Sequence, residues 1–313
     1  MEQLTVLILG AGWTSTFLIP LLTTSSIPFA ATTTTGRTVS GVPTIRFKFD
    51  PANTPQEELR SAIAALPAAK YVLITFPLTG NGPSKTLIEM YNSTHQSHSS
   101  STSHKARFIQ LGSTGIWGAG RTTAAADKER VERELAEKRG GDPWVNRHSP
   151  INEANPRVIA EKELLELGGC VLNLSGLWGG ERKPVNWIGR VAATKEAIKG
   201  KTSLHMIHGE DIARAVVKIV TNEEDKWENG GGKGERWMLT DGFVYDWWAL
   251  LAGWAEGEGG EVREQGRWVR ELMEEEGVRA LPRGMEMLGR CYDSREFWRV
   301  WGLVPLRAGV LNE

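Results

Sequence analysis

The chain has 313 residues, of which 40% are hydrophobic and 24% charged, and its 37 basic and 38 acidic residues give a formal net charge of −1. This composition is that of an ordinary globular protein with one large domain or two modest ones. The charge balance gives no electrostatic reason to bind nucleic acid or an anionic membrane. Cys170 and Cys291 form neither a disulfide framework nor a zinc motif, so we expect a reducing, cytoplasmic location.

The N-terminal stretch from residue 3 to residue 36 contains no charged residue. An uncharged stretch of this kind is typical of a signal peptide or a membrane span. Here glycines and prolines interrupt it, and it lacks a basic start. We therefore predict two buried elements of a soluble fold and no membrane segment.

Short apolar runs, bounded by glycine or polar turns, predict buried strands. In chain order these strands span residues 4–9, 28–33, 44–49, 71–75, 107–111 and 170–174. Helices are predicted between them from start and stop signals such as Thr54-Pro55 and Gly168-Gly169. The predicted helices span residues 14–22, 54–66, 83–92, 157–167 and 210–220. The alternation predicts an α/β fold: a doubly wound parallel sheet with helices on both faces and a smaller C-terminal lobe.

A glycine turn joins the first strand to the first helix. Gly10 permits the tight turn, and Gly12 lets a pyrophosphate approach the backbone. Trp13, Thr14 and Ser15 then open the helix, whose free N–H groups attract an anion, and Ser15 stands where a third glycine is usual. The pattern predicts a dinucleotide-binding turn; the alternative is a strand–helix turn without a ligand.

The end of the second strand bears on the choice of dinucleotide. A site for NAD usually has an acidic residue here, which accepts a hydrogen bond from the ribose 2′-hydroxyl. The sequence instead places Thr33, Thr34 and Arg37 at this point, with no acid. Hydroxyls and a guanidinium suit a 2′-phosphate, which favours NADP over NAD. The alternative is that Arg37 is a solvated turn residue.

Later landmarks follow in a recognisable order. Residues 113–118 read Ser-Thr-Gly-Ile-Trp-Gly, residues 174–179 read Leu-Ser-Gly-Leu-Trp-Gly, and His208 and Asp211 begin a helix. With the glycine turn and the segment 291–305, they resemble the extended short-chain dehydrogenase/reductases of the NAD-dependent epimerase/dehydratase type over nearly the whole chain. The resemblance implies a Rossmann-type domain at 1–177, with its sheet completed by parts of 200–245, and an interleaved substrate-side lobe at 178–313.

The chain departs from this family at the proton relay. The family uses a Tyr-x-x-x-Lys pair, and the chain is closest to the atypical members that lack it. Aligning Glu161 with the family's helix glutamate puts Arg157 at the lysine position and Glu153 at the tyrosine position. Arg157 could hold a ribose or phosphate, but a guanidinium does not exchange protons readily. Glu153 could act as an acid or base if burial raised its pKa; the alternative is an exposed loop carboxylate.

Two further groups of site residues come from the resemblance. Ser113 keeps the family position of a serine that hydrogen-bonds the substrate oxygen; the alternative is a strand-end hydroxyl that caps the backbone. Thr75, Phe76 and Pro77 follow the fourth strand, where the family brings its backbone to the cofactor. We expect these three residues near the adenosine or its ribose.

Two functions remain open from the sequence. The first is an NADP-binding oxidoreductase or epimerase-like enzyme that acts on a small polar carbonyl or hydroxyl compound, as a monomer or homodimer. The second is a non-catalytic protein that senses the dinucleotide and regulates a partner. We expect no metal site, because the Ser-rich stretch with His95, His98 and His104 supplies no carboxylate or thiolate.

Overall fold

The computed structural model describes residues 4–95, 105–120, 124–222 and 226–311. Its strands are β1 Leu4–Leu9, β2 Phe29–Thr33, β3 Ile45–Arg46, β4 Ala69–Ile74, β5 Arg107–Ser113, β6 Trp144–Val145, β7 Cys170–Leu174, β8 Gly176–Trp178, β9 Ser203–Leu204, β10 Met206–His208, β11 Arg236–Leu239, β12 Tyr245–Asp246 and β13 Cys291–Tyr292. Its helices are α1 Ser15–Thr24, α2 Gln56–Ala64, α3 Pro83–His95, α4 Ala125–Lys138, α5 Pro156–Glu166, α6 Ile188–Val191, α7 Lys195–Lys199, α8 Gly209–Val220, α9 Trp247–Gly253, α10 Glu264–Glu275 and α11 Arg295–Trp301.

The main sheet within these residues has seven strands in the order β11-β7-β5-β4-β1-β2-β3. Every neighbouring pair is parallel. Alternate residues of β1 face opposite sides: Val6 and Ile8 pack with α1 and α8, while Leu7 and Leu9 pack with α2 and α3. The structure therefore confirms the doubly wound parallel sheet with a helical layer on each face.

Among the elements before β6, two differ from the sequence-based expectation. The strand predicted at 44–49 is limited to Ile45–Arg46, because β3 is a half-exposed edge strand that pairs only with β2. Helix α4 was not predicted, because its face toward the protein has few apolar residues; Leu135 is the buried one. The other predicted strands and helices are present, with ends shifted by a few residues. None of the described helices is long and apolar enough to cross a bilayer.

A second apolar core lies outside the sheet layers. Trp247, Trp248 and Trp254 are buried in it, together with residues of α10. The buried carboxylate of Asp246 pairs with the Arg283 guanidinium at 2.7 Å. The C-terminal half is thus shared: β11, α8 and α11 pack with the sheet, while α9 and α10 form the smaller lobe. The boundary between residues 177 and 178 stays a prediction.

Asp241 connects the end of the sheet to the smaller lobe. It follows β11, and its carboxylate accepts hydrogen bonds from the Tyr245 hydroxyl at 2.6 Å and the Phe243 N–H at 3.1 Å. The Tyr245 hydroxyl in turn accepts a hydrogen bond from the Gly309 N–H at 2.9 Å. Burial, which disfavours the charged form, raises the pKa of Asp241 to about 7.

The raised pKa of Asp241 predicts a pH-dependent stability. Between the unfolded value of 3.8 and about 7, the folded state holds a proton that the unfolded state releases. The free energy of unfolding therefore falls as pH rises through this window, with a slope of at most ~1.4 kcal/mol per pH unit from this residue. Asp241→Asn should remove this slope in urea unfolding curves, whereas the exposed-site variant Glu137→Gln should keep it. An unchanged slope in Asp241→Asn would contradict the prediction.

Candidate functional site

A cleft of about 1070 Å³ opens at the carboxyl ends of the sheet strands. Its walls come from Thr14 at the start of α1, the segment after β4, the ends of β5 and β7, and the start of α5. The order of the sheet places β2 on one side of β1 and β4 on the other, so the chain changes direction at β1. Crevices at such a point are where open α/β sheets bind their ligands.

Gly10 forms the tight turn at the end of β1. Its φ is +89°, and a Cβ atom here would lie 2.9 Å from Cδ1 of Phe76 and 3.0 Å from Oγ1 of Thr75. The Gly10 N–H donates to the Thr32 hydroxyl at 3.1 Å, and the Thr75 hydroxyl donates to the Gly10 carbonyl. Thr75 and Phe76 therefore lie directly against the turn, and Pro77 lines the cleft beside them.

The amino end of α1 presents three unpaired donors. The backbone N–H groups of Gly12, Trp13 and Thr14 have no acceptor among the residues that the structure describes. Ser15, the first residue of the helix, is fully buried against the sheet. A Cβ at Gly12 would meet only the Gly10 carbonyl oxygen, at 3.8 Å, so the space above Gly12 is open. Free N–H groups at the positive end of the helix dipole form a site for an anion such as a phosphate.

Arg37 lies across this turn. The Thr33 hydroxyl accepts hydrogen bonds from the N–H groups of Gly36 and Arg37, at 2.9 and 3.1 Å, which bends the chain back after β2. Nη2 of Arg37 then reaches the Ala11 carbonyl at 3.5 Å. Thr34 is exposed at the strand end, and residues 34–44 contain no acid. The edge of the site beside β2 is therefore basic.

Ser113 and Arg157 both line the cleft. Oγ of Ser113 accepts a hydrogen bond from the Gly115 N–H at 3.2 Å. This contact is the backbone cap considered from the sequence, and it leaves the hydroxyl hydrogen available to a ligand. Arg157 is in the first turn of α5, where Oδ1 of Asn155 accepts from its backbone N–H at 3.0 Å. Burial raises the pKa of Glu161, and the positive charge of Arg157 opposes this rise only in part.

A buried polar cluster contacts the backbone of Ser113. Nδ2 of Asn173 donates to the Ser113 carbonyl at 3.3 Å and to both oxygens of Glu161 at 3.0 and 3.1 Å. Arg236 approaches Glu161 to 3.3 Å. A Cβ at Gly112 would lie 2.3 Å from Asn173 Nδ2, so only glycine lets the cluster approach β5 this closely. Desolvation is the largest effect on Glu161 and raises its pKa.

The structure does not bring Glu153 into the cleft. Its side chain is 60% exposed, pairs with Lys162 and does not line the cleft, so Glu153 is an exposed loop carboxylate. The reason is local: Asn155 and Pro156 begin α5, and Glu153 lies before that start on the outer surface. All four tyrosines are described, and none of them lines the cleft.

The basic side chains of the cleft are not evident from the sequence. Four of them join Arg157 in its lining, namely Lys128, Arg182, Arg190 and Arg290. The acids there are Glu129 and Glu132, and Glu132 pairs with Arg290 at 2.9 Å. These cations come from α4, the turn after β8, α6 and the segment before β13, so no local sequence pattern connects them.

The predicted absence of a metal site rests on the sequence. No group of three or more potential ligands was found in the described part of the chain. Nε2 of His95 is 2.7 Å from the Leu66 carbonyl, while His98 and His104 lie outside the described residues.

No protein-family model matches the chain, and no curated protein matches it. Solved structures do. A putative NAD-dependent epimerase/dehydratase from Methylobacillus flagellatus is 12% identical, with a TM-score of 0.56, over 99% of this chain and 96% of its own. A short-chain dehydrogenase/reductase superfamily protein from Agrobacterium tumefaciens, with bound NAD, is 10% identical, with a TM-score of 0.56, over 97% and 93%. RMD from Pseudomonas aeruginosa, complexed with NADPH, is 12% identical, with a TM-score of 0.51, over 98% and 95%.

The chain has the fold of these proteins. The fold that the sequence resemblance implied is thereby confirmed over almost the whole chain. At these identities the likeness concerns the fold, and the site must be argued from its own residues.

Substitution of the two glycines of the turn by alanine should change the free energy of unfolding by different amounts. Gly10→Ala introduces a strained φ and a contact with Phe76, and should lower the free energy of unfolding by ~1–3 kcal/mol. Gly12→Ala meets no such obstacle and should change it by less than about 0.5 kcal/mol. Urea unfolding of the two variants measures the difference. Equal losses would show that the turn is not held as described.

Proposed function

We propose that the protein is an NADP-dependent oxidoreductase or epimerase-like enzyme that acts on a small polar carbonyl or hydroxyl compound. The observation that carries the proposal is the set of three unpaired N–H groups at the start of α1, beside the open space above Gly12. This is the environment that a dinucleotide pyrophosphate needs. The bound NAD and NADPH of two proteins with the same fold support the same class of ligand.

NADP is proposed over NAD from the residues after β2. Arg37 has its guanidinium against the glycine turn, and the neighbouring hydroxyl of Thr34 is exposed. A 2′-phosphate at this edge would receive charge-assisted hydrogen bonds from Arg37. Residues 34–44 contain no carboxylate. A carboxylate here would repel a 2′-phosphate and would favour the 2′-hydroxyl of NAD.

The residues of the cleft have different proposed roles in the reaction. When bound, the nicotinamide supplies or accepts the hydride. Ser113 can donate its hydroxyl hydrogen to the substrate oxygen, because its Oγ already accepts from Gly115. Arg157 stays protonated and can hold a ribose hydroxyl or a phosphate. With Glu153 outside the cleft, the proton on the substrate oxygen exchanges with water, which has access through the open mouth.

The charge of the cleft narrows the substrate class. Five basic side chains and two acidic ones line it, and one acid is already paired with Arg290. Lys128 and Arg190 lie at the exposed rim and have no ion pair within the described residues. This excess of positive charge favours a substrate with a carboxylate or phosphate group in addition to its carbonyl or hydroxyl.

A non-catalytic dinucleotide sensor is the second candidate. The observation that favours it is the absence of every tyrosine from the cleft lining, together with the exposed position of Glu153. Such a protein would keep the phosphate site at α1 and transfer no hydride. Turnover measurements separate the two candidates.

Calorimetric titration with NADP⁺, NADPH, NAD⁺ and NADH tests the cofactor. We expect NADPH to bind most tightly, and Arg37→Ala to weaken NADP(H) about tenfold or more while leaving NAD(H) unchanged, as expected for a lost charged hydrogen bond. Arg60→Ala, an exposed guanidinium on α2, is the matched control and should change nothing.

Gly12→Ala extends the titration to the phosphate site. It keeps the fold but fills the space above the turn, so it should weaken all four dinucleotides. A wild-type protein that binds none of them would overturn the proposed function. Equal losses of NADH and NADPH in Arg37→Ala would overturn only the preference for NADP.

Ser113→Ala tests the catalytic assignment. With NADPH and a panel of carbonyl compounds that do or do not carry a carboxylate or phosphate, the variant should lower kcat/KM on the order of 10²-fold, because the developing negative oxygen loses its donor. The Kd for NADPH should not change. No consumption of NADPH by the wild type, despite tight binding, would favour the sensor.

A further inference from the structure

The turn at residues 179–182, which follows β8, is held in a fixed shape. The N–H groups of Gly179 and Arg182 each donate to the other residue's carbonyl, at 3.1 and 3.2 Å. Gly179 has a φ of +110°, and a Cβ there would lie 2.1 Å from Nε2 of His208. Gly180 has a φ of +58° and packs against Phe17 of α1. The turn therefore requires its glycines and is braced against the first helix.

Trp13 fixes the position of Arg182 at the end of this turn. Nε1 of Trp13 donates to the Gly179 carbonyl at 3.3 Å. The guanidinium carbon of Arg182 lies 4.4 Å from the centre of the Trp13 ring, which is a cation–π distance. The ring of Trp13 also contacts Phe17, at 5.0 Å between centres. The guanidinium is thus positioned in advance beside the amino end of α1.

The positive charge of Arg182 is not paired with an acidic side chain among the described residues. The structure records no ion pair for this residue within the parts of the chain it describes, and the side chain is exposed and lines the cleft with Thr14 and Thr75. Trp13 and Thr14 also supply two of the three unpaired N–H groups. A full positive charge therefore lies next to backbone donors that carry only partial charges.

We propose that Arg182 binds the diphosphate of the dinucleotide together with the start of α1. The inference rests on the proposed function and deepens it. The start of α1 offers N–H groups, and the planar guanidinium beside it offers paired donors and a full charge. Arg37, which lies after β2, would bind the 2′-phosphate separately. The turn at residues 179–182, which follows β8, would thereby contact the cofactor through Arg182.

The test measures binding of three ligands to Arg182→Gln by calorimetry. NADPH and ADP-ribose contain the 5′-diphosphate, and adenosine 2′-monophosphate lacks it. We expect about tenfold or greater losses for NADPH and ADP-ribose, because charged hydrogen bonds are removed, and no loss for adenosine 2′-monophosphate. Arg182→Lys should restore part of the affinity, and the affinity of the wild type for ADP-ribose should depend more on salt than that of Arg182→Gln.

Two further variants separate this role from general effects of charge or folding. Arg60→Gln removes an exposed guanidinium of α2 that does not line the cleft, and should leave ADP-ribose binding unchanged. Trp13→Leu removes the ring that positions Arg182 and should weaken ADP-ribose in the same direction as Arg182→Gln. Thermal unfolding confirms that each variant is folded.

The outcomes distinguish the inference from the proposed function. If the wild type binds NADPH and Arg182→Gln binds it equally well, the role of Arg182 is wrong and the proposed function stands. The same holds if Arg60→Gln loses as much affinity, or if binding of adenosine 2′-monophosphate is weakened equally. If the wild type binds no ligand that contains the diphosphate, both proposals fail.

Discussion

The burial of the last four residues of β1, between β2 and β4, is the constraint on which the rest of the structure depends. The last four residues of this strand are inaccessible to solvent. The backbone N–H and C=O groups of the turn that follows therefore need hydrogen-bond partners within the protein. Thr32 of β2 and Thr75, the residue after β4, supply the partners for Gly10. Because the neighbouring strands satisfy the turn, the three N–H groups that follow it stay available at the start of α1.

The packing of helices on the sheet also explains why a buried cluster of charged and polar side chains lies next to Ser113. Helix α5 crosses beneath β5 and β7, and it places Glu161 where no water reaches. A buried carboxylate is tolerated only with partners, which Asn173 and Arg236 provide from two different strands. Asn173 then also binds the carbonyl of Ser113, so the position of this serine depends on the whole cluster. The cluster acts through the backbone and does not reach the cleft itself.

Much of the fold could be predicted because its signals are local. The apolar runs of the central strands, the glycine turn and the start of α8 at His208 are each contained in a few neighbouring residues, and each is present. Helix α4 was missed because a mostly charged sequence gives little periodicity when one apolar residue, Leu135, anchors it. The strand at 44–49 was predicted too long because an edge strand has only one neighbour to pair with.

The sequence by itself determined the order of strands and helices, the positions of Gly10 and Gly12, and the absence of an acid after β2. These depend on backbone geometry and on residues close in the chain. Only the tertiary structure decided that Glu153 faces solvent, that Arg182 stacks on Trp13, and that five basic side chains share one cleft. The physical reason is that exposure and charge clustering depend on which distant segments pack together, and no local pattern records that choice.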